Sequence, residues 1–295
     1  MDTNGDLHTG NSAEPWIEFL DDEIVNADPD TPEHDLPKIF RQALLSENES
    51  SPSETAKQID TYYQETYLPS DPLLRFQDDK GMSGFLNSIY DLVFELATVI
   101  PYHHHLQNVL VEFIAALRKL PPKQCKIWDE DHLVYTDEPI FPSVMDEDWN
   151  RFFPSDLTKG ADLEKSCAEW VNFSAFVARC TQAGLNDQFK YPRKYPSKDI
   201  PIGLEKDHAP GVRRNCLIRV AAQYILLCGS KISDGIKDAP TERQRWWADK
   251  WQLWAKKLEE LADSGEIDPD LKSEVHEAHE KLVALQPQSF NKTES

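Results

Sequence analysis

The stretch Trp247-Ala248-Asp249-Lys250-Trp251-Gln252-Leu253-Trp254-Ala255-Lys256-Lys257-Leu258-Glu259-Glu260-Leu261 decides the fold class. Trp247, Trp251, Trp254, Leu258 and Leu261 step by four and three, which stacks all five on one face of an α-helix. Leu271, Val275, Ala278, Leu282 and Leu285 repeat the stepping in the next segment. Thr241 with Gln244 matches a capping box, Gly265 is a stop signal, and Asp268 fits an N-cap with Pro269 at the first helical position. The short connection from Ser264 to Asp268 makes the two segments an antiparallel helical hairpin.

The same spacing recurs upstream. Phe85, Ile89, Leu92, Leu96 and Val99 form a stripe that ends at Pro101, and Leu106, Leu110, Phe113, Leu117 and Leu120 resume it until Pro121 and Pro122. Leu163 to Ala183 reads as a helix closed by Gly184, with Trp170, Phe173, Phe176, Val177 and Cys180 on a broad apolar face. Arg213 to Cys228 is apolar on nearly every side except an edge made by Arg219 and Gln223, as in a central buried helix. The expectation is an all-α fold, a single domain of antiparallel amphipathic helices over residues 53–286.

Shorter features fill the gaps. A helix carrying Ile59, Tyr62, Tyr63 and Tyr67 is expected to end before Pro69, and a short helical segment to run from Ile202 to Lys206. Residues 121–160 are rich in Pro and acids yet hold Trp128, Phe141, Trp149, Phe152 and Phe153, so they read as a long ordered loop pinned to the core. Within it, Ile127-Trp128 and Leu133 to Tyr135 suggest a minor hairpin.

With 295 residues, 40% of them hydrophobic, the chain holds a substantial core. Its net charge of -21 is uneven: residues 1–60 carry 15 acids and only Lys38, Arg41 and Lys57, whereas the rest carries 37 acids against 28 bases. That balance argues against nucleic acid or an anionic membrane as partner, since both are bound through clustered Lys and Arg. Residues 1–52 read as a disordered acidic arm and linker, with a weak helix from Pro37 to Leu45, and residues 287–295 as a disordered tail. Five cysteines without close pairing read as free thiols in a reducing compartment, cytoplasmic or nuclear. The N-terminus lacks the apolar segment of a secretory signal, and the run Cys216 to Cys228 is shorter than the roughly 20 residues a membrane span needs.

Chemistry-bearing groups are sparse. His103, His104 and His105 point about 100° apart on a helix and do not converge on one ion, and His276 and His279 sit among acids without the H-E-x-x-H pattern. The acids around His132 lack the spacing of a calcium loop. No phosphate loop, nucleophile elbow or dinucleotide fingerprint occurs. No metal and no cofactor is therefore expected, and the question of an enzyme stays open. Asn172 and Arg179 lie within the aromatic helix, and a buried Arg calls for a carboxylate such as Glu169 or Glu205. Asn172, Arg179 and Glu205 are accordingly a candidate polar core or ligand anchor. Trp246, Trp247, Trp251 and Trp254 would make a stacking platform if exposed, but their heptad spacing favours burial. In the arm, Trp16, Phe19 and Leu20 form an acidic linear motif that folds either on a partner's groove or on its own domain.

The segment from Trp170 to Cys180, WVNFSAFVARC, resembles the W-x-N-x-x-A-F-x-A-R core of a fungal family catalogued as domain of unknown function 3632. Leu204-Glu205, the run Ala221 to Ile225 near Gly229, and the Trp-rich helix at Trp247 to Trp254 extend the resemblance over roughly residues 80–262. Cys180 stands where Leu is usual. The resemblance implies a helical domain with no activity to inherit, and it places Asn172, Arg179 and Glu205 in a shared polar core. The leading expectation is a non-enzymatic helical module that binds another protein. The alternatives are an enzyme or small-ligand binder with a pocket between the Trp170 and Tyr224 helices, and a homodimer.

Overall fold

The computed structural model describes residues 14–46, 51–77, 79–186, 194–237 and 241–287. In chain order it contains α1 (Pro15–Asn26), α2 (Leu36–Leu45) and α3 (Pro52–Tyr62), which runs through a π turn at Tyr63–Tyr67 into the single turn α4 (Leu68–Ser70). A 3-10 turn at Pro72–Phe76 leads to α5 (Met82–Val99) and α6 (Leu106–Leu117). Then come the hairpin β1 (Gln124–Ile127) and β2 (Glu130–Leu133), α7 (Ile140–Phe152), α8 (Gly160–Gln182) and α9 (Pro196–Leu204). The chain closes with α10 (Val212–Lys237), α11 (Thr241–Asp263) and α12 (Pro269–Leu285). The fold is all-α apart from this small antiparallel pair.

Helix α10 is the central element because it is apolar around its circumference. It packs against α8, α9 and α12, and Ile218, Val220, Ala221, Ala222, Tyr224 and Ile225 are buried. By length and composition residues 212–235 match a membrane span, but here those faces are covered by protein. The remaining edge, Arg219 and Gln223, is closed by Glu274 of α12: Arg219 Nε donates to Oε1 at 3.0 Å and Gln223 Nε2 to Oε2 at 2.8 Å. The helix continues beyond Cys228, where a non-helical backbone (φ -130°, ψ 16°) interrupts it. A second centre forms around Phe94, whose ring lies 5.7 to 6.2 Å from those of Tyr90, Phe141, Phe173 and Phe176. Aromatic rings at such spacings gain from edge-to-face contact beyond their burial.

Several expectations are corrected. Residues 15–45 fold: α1 packs on α2 and α5, and Trp16, Leu20, Leu36 and Phe40 are buried. Acid repulsion was overweighted, because Glu18, Asp21 and Asp22 face solvent, and Asp21 pairs with Arg41 across the two helices. Residues 1–13, 47–50 and 288–295, the rest of the predicted arm, linker and tail, lie outside the described residues, as do the side chains of Thr241 and Gln244. The loop expected at 121–160 contains α7; its stripe of Phe141, Val144, Met145 and Phe152 was masked by Pro142 and a run of acids. Proline is tolerated there because it occupies the first helical turn. Hairpin pairing runs Gln124 to Leu133 and Ile127 to Glu130, so Trp128 is a turn residue and not part of a strand. Helix α9 starts six residues before the expected Ile202, and the chain stays helical through Pro69.

Candidate functional site

Asn172 and Arg179 do one structural job together. Both project from α8 onto the bend between α5 and α6, whose backbone groups Pro101 leaves outside the helical ladder. Asn172 Oδ1 accepts from the Tyr102 amide at 2.8 Å, and its Nδ2 donates to the Thr98 carbonyl at 2.7 Å. Arg179 Nη2 donates to the Tyr102 carbonyl at 2.7 Å and Nε to Asn108 Oδ1 at 3.0 Å. The expected carboxylate partner is not used: Glu169 lies 3.8 Å from Lys165, and the Arg179 guanidinium is solvated by uncharged oxygens of Tyr102, Ala175 and Asn108. Burial lowers its pKa.

Glu205 belongs to a different place. At the end of α9 its carboxylate accepts from Trp254 Nε1 at 2.8 Å and pairs with Lys250, fastening α9 to α11. Arg179, Glu205 and His208 are held in separate bonds, His208 to the Ile202 carbonyl at 2.8 Å, so they do not converge on a ligand. Trp247, Trp251 and Trp254 are buried, which rules them out as a stacking platform; Trp246 is 48% exposed. In the arm motif Trp16 and Leu20 are buried and Phe19 packs partly against the core. The motif is turned onto its own domain.

A buried acid that sequence reading missed sits between α7, α9 and α10. Asp199 is 3% exposed; Trp149 Nε1 donates to its Oδ2 at 3.0 Å, and the Tyr224 hydroxyl lies beside it. Burial pushes its pKa up to about 7, against the opposing pull of Trp149, Tyr224 and Lys198. The signal in the sequence is slight, an acid in the first turn of α9 within a Pro- and Lys-rich stretch. Because the folded-state pKa is raised from 3.8, the folded chain binds more protons than the unfolded chain between these values. The stabilisation from this group is full below pH 3.8 and is lost as pH rises through about 7. Asp199→Asn is expected to flatten that slope and to melt above the parent at pH 8; thermal melts from pH 5 to 8 check it, and parallel profiles would contradict it.

A groove of about 320 Å³ opens between α8, α10 and the start of α12, with Cys167, Val171, Asn172, Asn215, Cys216 and Arg219 in its wall. It lies on the two helices expected to flank a pocket, but Trp170 and Tyr224 are fully buried and do not line it. The Asn215 side chain is 8% exposed, and its Oδ1 has no hydrogen-bond partner. Among the described residues, no three His, Cys, Asp or Glu side chains gather as a metal ion requires. His104 instead accepts from the Leu106 amide through Nδ1 at 3.2 Å, and His276 faces Glu280 at 3.4 Å on an exposed helix surface.

The hairpin tip is the other unusual feature. Trp128 (φ 53°) and Asp129 (φ 65°) both hold left-handed backbone, the geometry that two-residue hairpin turns impose and that Asn-Gly satisfies without strain. Trp128 is 64% exposed. The base beneath it is rigid: Ile127 and Tyr135 are buried, Lys123 Nζ donates to Asp60 Oδ2 at 2.6 Å, and the Tyr135 hydroxyl donates to Asp60 Oδ1 at 3.2 Å. Leu73 and Phe76 are 68% and 86% exposed, and further along the chain the Asp79 carbonyl accepts from the Cys125 thiol of β1 at 3.3 Å.

No curated protein and no solved structure matches the chain. The family model described as protein of unknown function DUF3632 matches residues 90–258, running from α5 into α11 and taking in the hairpin, the groove and the Asn172–Arg179 clamp. That span exceeds half of the chain, and with the helical architecture it covers, it shows that this protein belongs to the DUF3632 family.

Proposed function

We propose that the chain is a helical protein-interaction module whose contact surface is built on the β1–β2 hairpin tip. The observation that carries this reading is Trp128, a large apolar side chain exposed at a left-handed position. Left-handed backbone costs a non-glycine residue about 1–2 kcal/mol, and the mostly exposed indole offsets little of it by burial within the fold. Tryptophans of this kind anchor interfaces by filling a partner's pocket. Asp129, Glu130 and Asp131 follow Trp128 directly in the chain and are exposed, so the partner that fits is a protein with an apolar cleft rimmed by basic side chains. The net charge of -21 would steer such a partner in and disfavours nucleic acid and anionic lipid. Five free thiols support a reducing compartment, cytoplasm or nucleus, as the place to seek it. A small-ligand role draws less support, since Arg179, Glu205 and His208 are each committed to bonds that hold helices together.

Replacing Trp128 by Asn and Asp129 by Gly separates folding from binding. The double variant is expected to gain about 1 kcal/mol in stability, because both residues suit the turn. Partners that co-purify with the parent chain are expected to fall at least about tenfold with the variant, as loss of a hot-spot residue implies. Undiminished recovery of the same partners would overturn the reading. Loss of a dimer in sedimentation, with no other partner affected, would replace it with self-association.

A further inference from the structure

The groove wall carries two thiols on facing helices, Cys167 on α8 and Cys216 on α10. The Cys216 thiol donates to the Cys167 carbonyl oxygen at 3.5 Å, so the two residues meet at the helix–helix contact; each is 4% exposed, and both line the same cavity. We infer that Cys167 and Cys216 are a redox pair that a hydroperoxide closes into a reversible disulfide between α8 and α10. Three observations set this pair apart from the other cysteines. Cys180 and Cys228 are fully buried and their pKa values are raised by burial. Cys125 is half-buried, and burial together with Asp79 raises its pKa too. Cys167 alone moves the other way: its contact with the Cys216 thiol lowers its pKa, burial opposes this, and the Arg213 guanidinium adds to it, while Cys216 is pushed up by the same contact.

The hydrogen bond assigns the roles: the Cys216 proton is held on the Cys167 carbonyl oxygen, which leaves Cys167 as the thiol that reacts first. The Cys167 thiolate attacks one oxygen of the hydroperoxide, the O–O bond breaks, and the departing alkoxide or hydroxide takes a proton, leaving a sulfenic acid on Cys167. Cys216 then loses its thiol proton and attacks the Cys167 sulfur; the S–O bond breaks and water leaves. Two thiols and one hydroperoxide thus give one disulfide, one alcohol or water from the peroxide, and one further water. The hydroperoxide is reduced by two electrons and the thiol pair is oxidised by two. The product staples α8 to α10 and closes a loop of about 50 residues in the unfolded chain, a length at which cross-links are strongly stabilising.

Hydrogen peroxide at stoichiometric concentration, followed by alkylation and peptide mapping without reductant, tests this on the full chain. The peptides bearing Cys167 and Cys216 are expected to be joined with loss of two hydrogens, to separate on adding a dithiol, and to form at least about tenfold faster than any oxidation of Cys125. The oxidised chain is expected to melt roughly 6 °C higher than the reduced one. In Cys216→Ser the reaction is expected to stop at a sulfenic acid on Cys167 that a 1,3-dicarbonyl reagent traps, and in Cys167→Ser, Cys216 is expected to stay reduced. Complete alkylation of both residues after peroxide treatment, oxidation at Cys125 first, or sulfinic acid without a link would each overturn the inference, whether or not the serine variants fold.

Discussion

Trp254→Ala is expected to lower the unfolding free energy by about 4 kcal/mol, the usual range for removing a large buried aromatic side chain. Trp254 is fully buried, with its ring 5.9 Å from Trp247 in a perpendicular arrangement and 6.3 Å from Trp251. Its loss therefore empties the contact that holds α11 to α9. The indole also donates to Glu205 Oε1 at 2.8 Å, so alanine leaves a largely buried carboxylate paired with Lys250 but without its indole donor. An unsatisfied buried acceptor adds its own desolvation cost. Trp254→Phe, which keeps most of the ring and loses only the donor, is expected to cost about 1–2 kcal/mol. Urea unfolding separates the two: the midpoint should fall in both variants with the slope unchanged. A loss below about 1 kcal/mol for alanine would mean that α11 contributes little to the folded core.

Gly203→Ala is expected to destabilise by about 3 kcal/mol, although an alanine in a helix ordinarily gains about 1 kcal/mol over glycine. The sign reverses because α9 crosses α10 at this residue. A Cβ on Gly203 would be driven into the Leu217 carbonyl oxygen and would lie 2.9 Å from that carbonyl carbon and 3.0 Å from Ala221 Cβ. A backbone carbonyl in the middle of α10 cannot swing aside as a side chain can, so the helices must separate. Separation strains the neighbouring contacts of Ile200 and Leu204, both buried, and the Glu205 bonds that follow. Gly265, where an added Cβ meets nothing within 4 Å, is the control, and its alanine variant is expected to melt with the parent. If Gly203→Ala melted with the parent as well, the close approach of α9 to α10 would be wrong.

The two variants probe the same region from opposite sides, and the residues involved were not equally readable in the sequence. Trp254 was legible as a core residue from its spacing with Trp247, Trp251 and Leu258, since a helical period places all of them on one face whatever the face meets. Gly203 carried no such signal. A glycine that permits close packing looks the same in a sequence as a glycine in a loop, and Pro- and Lys-rich composition hides the start of α9. Pro196 and Pro201 are in fact accommodated, the first at the helix start and the second within a short helix.

The candidate sites divide in the same way. Asn172 and Arg179 were found because polar residues inside an aromatic stripe are conspicuous, but their partners were misread: Thr98, Tyr102 and Asn108 lie more than 60 positions away in sequence, on a bend whose free carbonyls no periodicity reveals. Charge and the family resemblance group Glu205 with Arg179, whereas it faces Trp254 and Lys250. Asp199, Glu274 and the facing pair Cys167 and Cys216 were not recognised as sites. Each depends on contact between helices distant in the chain.

By itself the sequence determined the all-α class, the helix stripes and most helix positions, and the central place of α10, because these follow from local period and polarity. It also determined the excess of acid, a net charge of -21. Only the tertiary structure decided that residues 15–45 pack on the core, that Glu274 closes the polar edge of α10, that Trp128 stands exposed on a left-handed turn, and that two thiols meet in one groove. These outcomes rest on which surfaces come together, and burial between distant segments outweighs local charge and propensity once enough apolar area is covered.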